Sequence, residues 1–455
     1  MLEEQVMEKY NAFVEKYRGL IMDTLDYIWN NPESGYREWK THTYLVQIFE
    51  KLGYTITPAG NVPGFVADVD TGHEGPTVAV FAEMDALIIP EHPESDPQTG
   101  AVHACGHCSQ CAALVGIAAA LKEPGALDGL SGKIRLVAVP AEELIEIEYR
   151  LQLRKEGDIK YLCGKPEFLY RGLLDGVDLC FMVHGLCDRA PHFANCTGGS
   201  NGVVAKTITF EGLSAHAGGA PHKGINALYA ANLALNAINA LRETFQDGDH
   251  IRVHPIITAG GASVNAIPDK VTIESYVRGA NMTAIASASE KVNRACAGCA
   301  AAMGAKVTIN DLPGAFPRNY PVNFVEVFRD AAPLCGVNFE YQPSSWIAGC
   351  SDLGDMCAVM PALHPSIAGG SGKAHGVDYV VSDRESACMD SAKLQVQALA
   401  LLLGENAQRA RDIVANYVPM FATYEEYFAY VDGLNMDKQT VFYDEKGNVT
   451  LDFHS

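Results

Sequence analysis

The sequence predicts an α/β protein: a mixed-sheet domain that carries an inserted ferredoxin-like α+β domain. Three observations predict it. Apolar, strand-like runs alternate with helix-like runs through the first 184 residues, the pattern of an α/β sheet. Three of those runs end on groups that bind cations or protons, at Asp85, at Glu142 and Glu143, and at His184. Near residue 198 the character changes, and the following stretch orders its elements β-α-β-β-α-β, as the ferredoxin-like motif does.

Taken in order, residues 1–52 read as helix, with Tyr10, Phe13, Val14, Tyr17, Ile21, Leu25 and Ile28 at helical spacing. Asn31-Pro32 breaks that run, and a second helix is expected from Pro32 to residue 52. Strands are expected at 54–57, 64–69 and 77–82, a small-residue helix at 111–121 and a buried strand at 133–139. The charged stretch 146–162 lacks strand pattern and reads as an insertion or a surface helix. A strand then ends at His184. Beyond it lie a strand at 203–210, a helix at 226–241, strands at 251–258 and 271–278, a helix at 284–303 and a strand at 306–310. A helix at 390–403 closes the fold. The predicted domains are 1–198 with 313–455 for the catalytic part and 199–312 for the insert.

Composition narrows the classes. Of 455 residues, 48% are apolar and 20% charged, the balance of a globular protein with room for two or three domains. A formal charge of −21 argues against a nucleic-acid or anionic-membrane partner, since either needs a basic surface. A locally positive pocket for an anionic substrate stays compatible with it. The first residues read as an amphipathic charged helix rather than an export signal, and no stretch is long and apolar enough to span a bilayer. The 13 cysteines are scattered and odd in number, so reduced thiols in the cytoplasm are expected.

The chemistry gathers in 82–107, where A-E-M-D-A-L is followed by V-H-A-C-G-H. This places Asp85, His103, Cys105 and His107 where a strand's carboxyl end meets a helix start, the usual ligand site of an open α/β sheet. The bland alternative is a core cysteine beside two satisfied histidines. Glu142 and Glu143 close a very apolar strand, which is costly unless a cation or proton satisfies them; a helix N-terminus would also favour them. With a metal the pair divides labour, one as ligand and one as general base for an activated water. His364 and His375 flank a Gly-rich loop behind Ser351-Asp352 and Asp355, and one of the two histidines could close the site; for His364 a solvated loop is the favoured reading. His216 sits in a glycine-rich turn, with Asn265 and Arg278 as candidate companions able to grip carboxylates.

Together these motifs resemble the co-catalytic metal amidohydrolases of metallopeptidase family 20, which include aminoacylases and glutamate carboxypeptidases. The matching pieces are M-D-A-L, H-A-C-G-H, P-A-E-E, M-V-H-G, G-x-S-A-H-A-G-x-x-P-x-x-G-x-N-A and N-A-I-P-D, in the family's order over most of the chain. H-A-C-G-H looks like the branch that hydrolyses N-acyl and aryl amino acids. S-D-L-G-D with a late G-x-x-H looks closest to p-aminobenzoyl-glutamate hydrolases and related β-alanyl dipeptidases. The resemblance implies two divalent ions, zinc or manganese, on Cys105, His107, Glu143, His184 and His375. It implies Glu142 as general base, Asp85 as the acid that orients a ligand, and His216 as a lid donor to the scissile carbonyl, often across a dimer interface. Asn265 and Arg278 match substrate-carboxylate and oxyanion contacts. The expected partner is a small substrate with a free carboxylate, and the expected assembly is a homodimer through 199–312. Rival readings are a dipeptidase or carbamoyl-amide hydrolase on the same site, and a non-catalytic metal-binding regulatory subunit.

Two departures bear on substrate. Where many relatives have Asp and, two residues on, His after H-A-C-G-H, this chain has Cys108 and Gln110. Where many have a Gly-rich turn after P-A-E-E, it has Leu144-Ile145 and the charged insertion. The insertion starts directly after the base and could line the entrance, and redox sensitivity is one hypothesis for Cys108 and Cys111 so near the cluster.

Overall fold

The structure, a computed structural model, describes residues 2–454; Met1 and Ser455, the outer ends of the expected first helix and last domain, lie outside the described residues. The chain divides into two compact units. One comprises Met1–Gly199, Asn319–Trp346 and Ser351–Met420, the other Ser200–Arg318, Ile347–Cys350 and Phe421–Ser455.

The first unit opens with three helices, Leu2–Lys16, Arg18–Trp29 and Trp39–Lys51. Arg18–Trp29 buries Ile21, Leu25 and Ile28, one face at helical spacing. The expected second helix starts later than read, at Trp39. Residues 32–38 instead form a turn, and Glu33 reaches forward so that its carboxylate accepts from the amides of Lys40 and Thr41 at 3.0–3.1 Å. That satisfies donors a helix start leaves open. Of the strand expected at 54–57, only Thr57–Pro58 forms.

The main sheet runs Thr57–Pro58, Phe65–Asp70, Lys133–Val139, Thr77–Glu83, Leu179–Phe181, Ala362–Leu363. The last four are mutually parallel and the first two antiparallel, a mixed sheet. Strands buried on both faces need near-continuous apolar runs, which is why V-A-V-F-A and I-R-L-V-A-V were legible. Register pairs Glu83 with Val139 and Val80 with Phe181, so the strands deliver their carboxyl ends to one edge. Helix His107–Leu121 packs on Thr77–Glu83 and against helices Arg18–Trp29 and Ser391–Asn416, and all its residues are buried. It begins at His107, four residues before the expected start, because Gly106 takes φ +86° and turns the chain into it.

One strand differs in kind. Leu179–Phe181 ends before His184, and His184–Cys187 is a separate strand, parallel to Ser366–Ser371 in a second sheet. His184 therefore opens a strand instead of closing one.

The second unit is a ferredoxin-like sheet. Gly202–Glu211 pairs antiparallel with Lys270–Gly279 on one side and Lys306–Ala315 on the other. Arg252–Val253 and Ile256–Ala259, split at His254-Pro255, pair beyond Lys270–Gly279. Helices Ala227–Ala240 and Met282–Ala302 cover it. A fifth strand, Met436–Gln439, adds to Lys306–Ala315. Phe421–Ser455 thus belongs to this unit and not to the catalytic part where 313–455 was placed. Short polar strands such as M-D-K-Q carry no periodicity that names their sheet. Among the described residues no helix is long and apolar enough to cross a membrane.

Candidate metal centre

Asp85, two residues past its strand, is fully buried and organises its neighbours. Its Oδ1 lies 3.1 Å from His107 Nδ1, its backbone oxygen lies 2.9 Å from the same nitrogen, and its Oδ2 accepts the Glu143 amide at 2.9 Å. Burial alone would raise the Asp85 carboxyl, but His107 and the Glu143 amide bring it down to about 2. A carboxylate on Nδ1 turns His107 Nε2 toward whatever the ring is to bind.

Around that nitrogen further side chains converge. Cys105 Sγ is 3.3 Å from His184 Nε2, and His184 Nδ1 is 2.9 Å from the Gly185 carbonyl oxygen. His375, at φ +62° with its amide on Ala104 O, brings Nε2 to 3.1 Å from Glu143 Oε1. His107 Nε2 is 3.1 Å from Glu83 Oε2. Yet His107 Nε2 and Glu143 Oε1 are buried with no hydrogen-bond partner. Buried polar atoms left that way are costly. Close approach without hydrogen-bond geometry is what donor atoms show when they point at a common cation. Cys105, His107 and His184 form one set with donor atoms within 4.8 Å of one another, and Cys105, Glu143 and His375 form a second. Burial, then Glu143, push the Cys105 thiol well above its usual range. A cation among these groups would offset both effects. The five residues expected as ligands are thus brought together in two groups that share Cys105, and their types suit a divalent ion.

The sequence profile of Peptidase family M20/M25/M40 matches residues 79–401. The chain belongs to this family. Its class is therefore that of the metal-dependent amidohydrolases. Among its M20 relatives is the N-acetyl-L-cysteine deacetylase of Bacillus subtilis, 32% identical over 260 residues; the match spans 54% of this chain and 56% of that relative's length. One subunit of the p-aminobenzoyl-glutamate hydrolase of Escherichia coli is 25% identical over 405 residues, covering 77% of this chain and 88% of that relative. A crystal structure of a dinuclear metal binding peptidase from M20 family, from Bacillus subtilis, superposes with TM-score 0.67 over 86% of this chain and 99% of that one, at 21% identity, a likeness of fold.

The candidate centre also holds residues that the sequence did not single out. Lys165, fully buried, is 2.5 Å from Glu83 Oε1 and is hydrogen-bonded to Asp352 Oδ1, while its amide donates to Asp352 Oδ2 at 2.9 Å. Gln110 donates to Glu83 Oε2 at 2.9 Å. A third possible ligand set, Glu83 with His107 and Glu142, is therefore already countered by a fixed ammonium. Glu83, a charge at the end of an apolar strand, was a readable signal; G-K-P-E-F reads as surface, and nothing in it announced Lys165. His103 is buried with both ring nitrogens unpartnered and belongs to neither ligand set; burial lowers its pKa to about 3, so the ring is neutral. Cys108 is buried too, and burial pushes its thiol up to about 12. Little thiolate forms there, which counts against redox sensitivity at Cys108.

Within the second unit, the His216 turn is exposed, and Nδ1 accepts the amides of Gly218 and Gly219 at 3.2 and 3.0 Å. In the neutral ring this leaves the proton on Nε2, as a donor. Asn265 lies beside it, its backbone carbonyl oxygen accepting the Ala217 amide at 2.9 Å, and Ala266 bridges to His216. Arg278 instead faces Val203 and Arg252 across the sheet and approaches Cys350 Sγ at 3.6 Å.

Proposed function

We propose that this chain hydrolyses the amide bond of N-acyl or N-aroyl amino acids that carry a free carboxylate, p-aminobenzoyl-glutamate-like substrates among them. The carrying observation is the pair of ligand groups sharing Cys105, with Glu142 half-buried next to Glu143. These donors would hold two divalent ions on Cys105, His107, His184, Glu143 and His375; the B. subtilis M20 peptidase of like fold is itself a dinuclear metal binding protein. Thiolate and imidazole favour zinc, and the carboxylate suits manganese. When bound, the ions polarise the amide carbonyl and acidify a water.

The protein's own groups do the rest. Burial first, then Glu83, Glu143 and Asp352, push the Glu142 carboxyl well above its usual range. A carboxylate so placed takes a proton from the attacking water and returns it to the departing amine. Water adds to the carbonyl carbon, the C–N bond breaks, and an acid and an amino acid leave. Asp85 keeps His107 in one orientation throughout. His216, through Nε2–H, is assigned to the oxyanion, and Asn265 and Arg278 to the substrate's carboxylate. The names of the deacetylase and the p-aminobenzoyl-glutamate hydrolase support the acyl and aroyl choice.

Two further parts of the reading concern context. The chain is proposed to work as a homodimer through its ferredoxin-like unit, and to act in the cytoplasm, where its 13 free cysteines stay reduced. No nucleic acid or membrane takes part.

Turnover tests it. N-acetyl, N-benzoyl and p-aminobenzoyl amino acids should release acid and free amino acid one for one, and chelation should stop the reaction. Inertness toward all of these, with N-carbamoyl amino acids giving carbon dioxide and ammonia or with dipeptides alone cleaved, would overturn the substrate assignment.

A further inference from the structure

The charged stretch after Glu143 forms helix Ile147–Glu156, and one of its side chains turns inward. Arg150 is fully buried. Its Nη1 donates to Leu162 O at 2.7 Å and approaches Ala141 O at 3.5 Å, and its Nη2 donates to Glu143 O. From the other side comes Glu38, also fully buried, whose Oε1 accepts the Ala141 amide at 2.8 Å. The two side chains do not bond each other: Arg150 Nε and Glu38 Oε2 both lack a hydrogen-bond partner. The segment carrying Glu38 closes tightly on the turn. A Cβ at Gly35 would stand 2.3 Å from Arg150 Nη2 and 2.9 Å from the Ala141 Cα.

Between them lies the backbone that presents both carboxylates. Ala141 sits at φ +57°, a conformation that a residue with a Cβ adopts only under constraint. Side chains grip that turn at successive groups: Glu38 holds the Ala141 N–H, Arg150 the Glu143 carbonyl and Asp85 the Glu143 N–H. Gly164 N adds a bond to the Ala141 carbonyl at 3.2 Å. A buried guanidinium without a carboxylate partner is expensive, and an apolar residue would fill the space at less cost. Its distribution of donors explains its presence.

We infer that Arg150 and Glu38 are positioning residues of the metal centre. They clamp the Pro140–Glu143 turn in its strained form and so fix the directions of Glu142 and Glu143. The 146–162 stretch is then a brace behind the carboxylates rather than an entrance lining. This rests on the metal-centre reading above.

The test uses full-length Arg150→Met, with Arg150→Lys as the milder variant should the first not fold, and Leu45→Ala as a core-cavity control in helix Trp39–Lys51. In chelator-treated protein, amide exchange at Ala141 and Glu143 should quicken by about tenfold in the Arg150 variants. On titration with manganese or zinc alone, affinity should fall by about tenfold or more, and kcat at saturating metal should fall similarly with KM little changed. Leu45→Ala should lower the thermal midpoint and leave exchange at the turn, metal affinity and kcat near wild type. Unchanged exchange in both Arg150 variants would overturn the clamp, as would equal losses in Leu45→Ala. Should the wild type bind no metal, the function reading fails, while the exchange comparison still decides the clamp.

Discussion

Glu142 and Glu143 are adjacent and chemically identical, yet their surroundings drive them apart. Burial, Glu83 and Glu143 raise Glu142, while for Glu143 the cost of burial is outweighed by His375 and His107, which lower it. Separation of this kind assigns roles, one group to hold charge and the other to carry a proton. Glu142→Gln should keep metal binding and lose about 10²–10⁴-fold in kcat, read by steady-state kinetics beside metal content. The same residue sets a pH dependence. Below about pH 4.5 its carboxyl is protonated folded and unfolded alike and costs nothing. Above that value the unfolded chain ionises first, the folded state retains the proton, and stability falls as pH rises toward the raised folded value. Thermal midpoints of chelated protein should therefore decline with rising pH across that window, and less steeply in Glu142→Gln. Equal slopes would contradict the assignment. These carboxylates were legible because they end an apolar run. Lys165 and Arg150 were not, since nothing local distinguishes a long charged side chain that turns inward from one that faces water.

At the scale of elements, the joint between strand Lys133–Val139 and helix Gly164–Tyr170 carries the site. Gly164 makes it possible: a Cβ there would stand 1.8 Å from the Pro140 carbonyl oxygen. Backbone cannot rotate away as a side chain can, so Gly164→Ala must displace either the turn or the helix that bears Lys165. We expect about 1–3 kcal/mol lost in chemical denaturation, together with reduced activity. A variant as stable and active as wild type would show the joint to be looser than described. The parallel strands were readable as near-continuous apolar runs, and the second unit's strands by their alternation. The start of helix His107–Leu121 was set by one glycine at positive φ, and the start of Trp39–Lys51 by the Glu33 carboxylate six residues before it. Such long-reach caps leave little trace in periodicity.

For the whole molecule, motif order made the two-unit plan readable in outline. It missed Phe421–Ser455, whose strand joins the ferredoxin-like sheet through backbone pairing that side-chain pattern does not encode. That unit also carries the surface offered for self-association. Edge strand Ile256–Ala259 leaves Ile256 60% exposed, and helix Ala227–Ala240 leaves Tyr229 62% exposed, with Leu233 and Ile257 also open. An apolar edge strand is a ready template for pairing with a second copy. Ile256→Asp with Leu233→Asp should shift sedimentation from dimer to monomer; a monomeric wild type would end the proposal. A hydrolytic centre here requires that Cys105 and His107 hold metal. Elemental analysis of untagged protein purified without added metal, beside Cys105→Ala/His107→Ala, tests that most directly. About two equivalents of zinc or manganese, lost in the double variant, is the expected result for a two-ion site. No metal in the wild type, and no uptake on titration with either ion, would contradict the hydrolytic centre itself.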